Sequence, residues 1–191
     1  MKVAAFNGSA RKDGNTASLL RHVLHRLERE GISTELVQLG GRHLQGCIAC
    51  YKCFQNQDRH CSVTKDMLNE CIDKMLEADG IIMGSPTYFA NVSTNIKSLI
   101  DRSGLVAKAN NDMFARKTGA AVVAVRRAGA IHVFNSINHF YFISQMVVPG
   151  STYWNIGQGL NPGDVEKDDE GLKTMDNLGK NMAWLMKRLY N

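Results

Sequence analysis

Short apolar runs of strand length recur down this chain with helix-period segments between them, and that alternation limits the fold more than any other feature. KVAAF (2–6), TELVQL (34–39), DGIIMG (79–84) and TGAAVVAV (118–125) read as strands buried on both faces, and VVPGSTYW (147–154) offers a fifth. Between them Leu20, Val23, Leu24 and Leu27 mark one helix face. Ile96, Leu99 and Ile100 mark another, and Met175, Leu178, Met182, Leu185 and Leu189 a C-terminal one. A βαβαβ alternation requires right-handed crossovers, hence a mostly parallel sheet with helices on both faces. The expected class is α/β. At 191 residues the chain suits one domain, 1–191, with a core that needs no disulfides.

Composition narrows what such a domain does. A hydrophobic fraction of 44% and a charged fraction of 21% are those of a globular protein, and no apolar run approaches a membrane span of roughly 20 residues. With no charged-then-apolar leader before KVAAF, a cytoplasmic location is expected. The net charge of +5 comes from Lys and Arg interleaved with acids, which argues against nucleic acid as partner. It fits solubility and attraction for anionic ligands or acidic redox proteins.

In an open parallel sheet ligands bind outside the carboxyl ends of the strands, so the loops there are the candidate site. The first, NGSARKDGNTASLL, opens a helix. Gly8 and Gly14 free the backbone, Ser9, Asn15 and Thr16 offer side-chain donors, and Arg11 adds charge, a combination that suits a phosphate at a helix N-terminus. It lacks the Gly-Lys-Ser/Thr ending of a Walker loop and the G-x-G-x-x-G dinucleotide pattern. An ordinary capped turn is the alternative. The second loop, GSPTYFANVS, sets Pro86, Thr87, Tyr88 and Phe89 where a planar heterocycle would stack, with Thr87 and Asn91 as polar partners. Plain cover for the sheet end explains those aromatics equally well. The third, VRRAGAIHVF, offers Arg126, Arg127 and Gly129.

Four cysteines, Cys47, Cys50, Cys53 and Cys61, lie in GCIACYKCFQNQDRHC as C-x-x-C-x-x-C-x7-C, a spacing that lets a tight loop turn successive sulfurs toward an iron–sulfur cluster. Structural zinc favours two separated C-x-x-C pairs, and disulfides fit poorly with an odd cysteine count and a reducing compartment. Thiols that bind nothing remain the other reading. Two-cluster ferredoxins place the fourth cysteine after three residues and before a proline; here it follows seven and precedes Ser62. One self-contained cluster fits better. Cys71 stands apart: with Leu68, Ile72 and Met75 it keeps the i, i+3, i+4, i+7 register of a buried helix face.

Taken in order and spacing, GSARKDGNT, GSPTYFANVS and the VRRAGA loop resemble the NAD(P)H-dependent FMN reductase group of flavodoxin-like proteins. With the cysteine loop at about 45–65 added, the chain resembles an iron-sulfur flavoprotein. The resemblance implies a flavodoxin-like three-layer sandwich with a five-stranded parallel sheet in order 2-1-3-4-5. It implies FMN phosphate at Ser9, Arg11, Asn15, Thr16 and Ala17, with the ring beside Pro86, Thr87, Tyr88, Phe89, Asn91, Arg127, Ala128 and Gly129. It also implies a 4Fe-4S cluster on Cys47, Cys50, Cys53 and Cys61, a homodimer or homotetramer, and electrons exchanged with NAD(P)H, another small molecule or a redox protein such as ferredoxin. The residues show no Ser-His-Asp or paired-carboxylate set, and His132 and His139 read as packed or surface histidines. A cluster-free NAD(P)H-dependent FMN or quinone reductase, a non-catalytic flavodoxin-like carrier and a zinc-stabilised binding module are the competing readings. The helix-period stretch IHVFNSINHFYFISQMV is apolar around most of its circumference, which predicts burial in the core or at a subunit contact.

Overall fold

Strands form where the apolar runs predict them: Lys2–Asn7 (β1), Ser33–Gln38 (β2), Gly80–Pro86 (β3) and Thr118–Val125 (β4). The computed structural model describes residues 1–190. Helices Asn15–Arg29 (α1), Lys52–Asn56 (α2), Leu68–Glu77 (α3), Thr94–Ala109 (α4) and Ala130–Ile143 (α5) fill the crossovers. A three-residue strand, Ile156–Gln158 (β5), a 3-10 turn at Asp164–Lys167 and the helix Asp169–Leu189 (α6) follow. Every strand pair is parallel and the order is β2-β1-β3-β4-β5, the α/β class and flavodoxin-like order expected.

Side chains alternate across the sheet with period two. Val3, Ala5, Ile82, Ala120, Val122 and Ala124 pack with α1 and α6, while Ala4, Phe6, Ile81, Met83, Ala121 and Val123 pack with α3, α4 and α5. Leu20, Val23, Leu24 and Leu27 are all buried, as their spacing predicts, each contributing roughly 1.5–3 kcal/mol. Cys71 is fully buried beside Leu68, Ile72 and Met75, and burial pushes its thiol up to about 12, so it is an unreactive core residue. Tyr141 Oη bridges two central strands by accepting from Met83 N and donating to Ala120 O, both at 2.9 Å.

The fifth strand lies later than VVPGSTYW predicts. Val147 makes one isolated bridge to Thr118, but Pro149 has no N–H to donate and the chain leaves the sheet. It returns at Asn155, whose Nδ2 donates to Ala121 O (3.0 Å) while its carbonyl accepts from Val123 N (2.9 Å), and β5 pairs with Val123–Val125. Asp168 then caps α6 through Gly171 N (3.0 Å) and accepts from Gln158 N (2.7 Å), fixing the end of β5. Helix α5 buries Val133, Ile137, Phe140 and Tyr141 but leaves Ile131, Phe142 and Ile143 exposed, so the core claims only one of its faces; His132 and His139 lie at the surface. Among the described residues no helix is long and apolar enough to cross a membrane.

Candidate functional site

A cleft opens at the carboxyl ends of the strands, with about 650 Å³ of empty space counting its open mouth. Ser9, Arg11, Gly14, Asn15 and Thr16 form one wall, Pro86, Thr87 and Tyr88 another, and Ala124, Val125, Arg126, Gly159 and Leu160 close it. The first wall is the start of α1. Its N-cap is Gly14 with no side-chain cap, its first turn carries no acid, and the first helical bond is Ser18 N to Gly14 O at 3.1 Å. The backbone N–H groups of Asn15, Thr16 and Ala17 are thus left without helical acceptors beside the positive end of a 15-residue helix. Ala17 itself is fully buried, so its N–H is what it can offer.

A buried polar network that sequence reading missed shapes this loop. Asn7 Nδ2 donates to Gln38 Oε1 (2.6 Å), Gln38 Nε2 donates to Ser9 O (2.8 Å), and Asn7 Oδ1 accepts from Ser9 N (3.1 Å). Both residues end their strands, and no apolar pattern singles out such a position. Ser9 Oγ in turn accepts from Arg11 N at 3.1 Å. Asn15 Oδ1 accepts from Gly163 N (2.9 Å), which holds the segment carrying Gly159 and Leu160 against the cleft. No local pattern in the sequence shows which residues of this segment reach the site.

The second and third loops meet through a close backbone approach. Gly129, at φ 87°, starts α5, and a Cβ there would fall 2.9 Å from Ala90 Cβ, so only glycine fits. Arg126 lines the cleft, while Arg127, Ala128 and Gly129 stand outside its lining. Phe89 and Asn91 also stand outside. Tyr88 and Asn91 exchange backbone hydrogen bonds at 3.1 and 2.9 Å, and Phe89 and Ala90 between them both have positive φ, 48° and 56°. Such a turn prefers Asn-Gly, and two ordinary side chains there store strain of about 1–2 kcal/mol each. Changing Phe89-Ala90 to Asn-Gly is expected to stabilise the protein by about 1–2 kcal/mol, a rise in Tm of roughly 2–8 °C by calorimetry. An unchanged or lower Tm would show the turn is not strained.

The cleft fits a flat, phosphorylated heterocycle on its own chemistry. It joins unpartnered amide donors and Arg11 at one end to an aromatic loop at the other, and Thr87 Oγ1, on that loop, is buried without a hydrogen-bond partner among the described residues.

The four sequence-predicted thiols come together elsewhere. Cys47, Cys50, Cys53 and Cys61 line one cavity with about 330 Å³ of empty space, mouth included, closed by Ile48, Tyr51, Val63, Arg102, Leu105 and Val106. Cys53 sits buried on α2, Cys61 is half-buried, and Cys47 and Cys50 are exposed. The seven-residue spacer is not slack: its first three residues belong to α2, Arg59 N donates to Asn110 Oδ1 (2.9 Å), and His60 Nε2 meets Asp73 Oδ1 (2.8 Å). Ala49, Tyr51, Gln57 and Arg59 all have positive φ, so strained backbone gathers in this loop. The Ser62 hydroxyl and the Lys52 amide hold the Cys50 thiol below its ordinary value, whereas burial raises that of Cys53.

Among the described residues no three His, Cys, Asp or Glu side chains converge tightly enough to hold a metal ion. Sulfurs on one zinc would stand about 3.8 Å apart, from Zn–S bonds of about 2.3 Å. Thiols spread around a cavity suit a polynuclear group, whose ligands attach to different metal atoms. The cavity faces α4 from Arg102 to Val106, beginning roughly 12 Å along the helix from Thr94, eight residues at 1.5 Å each. It shares no lining residue with the cleft.

Sheet order and strand-end cleft define a flavodoxin-like protein. The description of the NADPH-dependent FMN reductase family matches residues 1–161, and the chain belongs to that family. It is therefore a flavin-dependent oxidoreductase, with FMN as its cofactor. An iron-sulfur flavoprotein of Methanocaldococcus jannaschii is 39% identical over 194 residues, covering 98% of each chain. Another, of Methanosarcina thermophila, is 31% identical over 185 residues, covering 96% of this chain and 94% of its own. The solved structure of an NAD(P)H:quinone oxidoreductase from Methanothermobacter marburgensis superposes with a TM-score of 0.70 at 14% identity, covering 95% of this chain and 98% of that one, a likeness of fold.

Proposed function

We propose that the protein moves electrons between NAD(P)H or a reduced ferredoxin, FMN in the strand-end cleft, and a 4Fe-4S cluster held by Cys47, Cys50, Cys53 and Cys61. The observation that carries the flavin placement is the start of α1: three free backbone donors, no competing acid and no side-chain cap, beside Arg11. Ser9, Asn15 and Thr16 orient the phosphate there. Pro86, Thr87 and Tyr88 border the ring, with Arg126 supplying positive charge near its edge. Phe89, Asn91 and the Arg127–Gly129 turn act from the rim, Gly129 by letting the two loops close on each other. FMN supplies the exchange between a two-electron hydride input and single-electron output, and an iron–sulfur cluster supplies one-electron transfer. The chain's own part is to bind, orient and set the field.

The strained cysteine loop and the names of the two relatives support the cluster. Separation of cavity and cleft within one chain favours a homodimer or homotetramer in the cytoplasm, in which one copy's cluster approaches another's flavin. Cys50→Ser is expected to keep bound FMN and NAD(P)H oxidation while abolishing at least nine-tenths of one-electron transfer to an external acceptor; full transfer in that variant would contradict the cluster's role. The exposure of Cys47 and Cys50 leaves a second reading, a cluster-free NAD(P)H-dependent FMN or quinone reductase in which the thiols bind nothing. Iron and sulfide assays on anaerobically purified protein separate the two.

A further inference from the structure

Arg102 is a buried cation in contact with the cysteine cavity. It stands in the middle of α4 with its side chain 1% exposed. One arm, Nη1, is paired with Asp66 Oδ2 and donates to Gln45 O at 3.1 Å. The other arm, Nη2, donates to Val63 O (3.0 Å) and lies 3.4 Å from Cys61 Sγ. Cys61 is clamped from its other side by Asn69, whose Oδ1 accepts from Cys61 N and whose Nδ2 donates to Cys61 O, both at 2.9 Å. Among the described residues Arg102 is the only permanently charged side chain lining this cavity. Its neighbours there are thiols, hydroxyls and apolar groups, so its field is weakly screened.

We propose that Arg102 is the positioning residue that tunes the redox group of the cysteine cavity, acting through Cys61, with Asp66 moderating its charge. The inference rests on the cluster reading above. Reduction brings one electron into the group and lowers its charge by one, while the guanidinium keeps its proton in both states. A cation and a sulfur-directed hydrogen bond therefore favour the reduced form and raise the reduction potential. Asp66 opposes this. Its carboxylate is fully used by Arg102 and by the N–H groups of Gln45 (3.1 Å) and Leu68 (3.2 Å), bonds that an asparagine oxygen retains in part.

The test uses full-length wild type, Asp66→Asn and the double variant Arg102→Gln/Asp66→Asn, each reconstituted anaerobically with iron and sulfide. Iron per chain and the midpoint potential are read in a dithionite titration followed by electron paramagnetic resonance. Asp66→Asn is expected to favour reduction about tenfold, a rise of about 59 mV for one electron. The double variant is expected to fall at least as far below Asp66→Asn. Equal potentials in wild type and Asp66→Asn, or a double variant matching Asp66→Asn, would overturn the inference while leaving the cluster in place. Should the double variant hold no iron, the rise or its absence in Asp66→Asn decides. Wild type without iron and sulfide would overturn the cluster reading itself, and the inference with it.

Discussion

Reversing the charge of Arg11 to Glu is expected to weaken FMN binding by about 2–4 kcal/mol, roughly 30- to 900-fold in Kd. A charge-assisted hydrogen bond to the phosphate is lost, contributing about 1.5–3 kcal/mol, and a like charge takes its place. The fold should not notice. Arg11 is exposed, and its hydrogen bonds run through the backbone alone: its N–H donates to Ser9 Oγ (3.1 Å) and its carbonyl accepts from Gly14 N (3.4 Å). A surface substitution of that kind shifts apoprotein stability by no more than about 0.5 kcal/mol. Titrating deflavinated protein into FMN and following the quenching of flavin fluorescence measures the loss, and the gap between wild type and variant should narrow as salt is added. Unchanged affinity would mean that the phosphate is held elsewhere.

Arg102→Leu carries the largest expected cost to stability, about 3–5 kcal/mol, a drop in Tm of roughly 6–20 °C. It strands the Asp66 carboxylate, 1% exposed, without its cation. In the wild type, burial alone would push the Asp66 carboxyl up, but the Arg102 guanidinium and the Gln45 and Leu68 amides outweigh it and hold the group below its ordinary value. A depressed folded-state value means a stabilising contribution that is complete above the unfolded carboxyl's pKa of about 3.9 and lost as pH falls through the folded value. In Arg102→Leu the sign inverts, since a buried unpaired carboxyl is relieved by protonation. The deficit should therefore be greatest near neutral pH and shrink toward pH 4. Denaturant melts of both proteins across that range check it. Adding Asp66→Leu should recover much of the loss, because replacing a buried pair outright is far cheaper than halving it.

The two predictions fall on opposite sides of what could be read before the structure. Arg11 was legible because a glycine-flanked polar loop after an apolar strand and before a helical repeat has a defined place in a parallel sheet. Cys71, the face of α1 and the Met175, Leu178 and Met182 part of the α6 face followed from helical spacing for the same reason, whereas Leu185 is only half-buried and Leu189 is exposed at the end of α6. Arg102 was not legible. In SLIDRSGLV it looks like a solvated residue on a surface helix, and it is buried only because the cysteine loop folds over α4, a contact between residues some forty positions apart that no local pattern encodes. The fifth strand was misplaced because VVPGSTYW carries strand-like side chains around a proline that cannot join a ladder, while the true pairing runs through Asn155 and a three-residue strand too short to show a period. That Arg126 rather than Arg127 lines the cleft depends on how the backbone turns after β4, which no apolar pattern encodes.

The central claim is that one chain holds both a flavin and an iron–sulfur group. Its most direct measurement is the absorption spectrum of protein purified without oxygen, recorded before and after dithionite. The expected result is a pair of flavin bands over a broad absorbance that bleaches by more than the bound FMN accounts for, with the excess absent from Cys50→Ser. Flavin bands alone, bleaching only as FMN does, would contradict the cluster at Cys47, Cys50, Cys53 and Cys61.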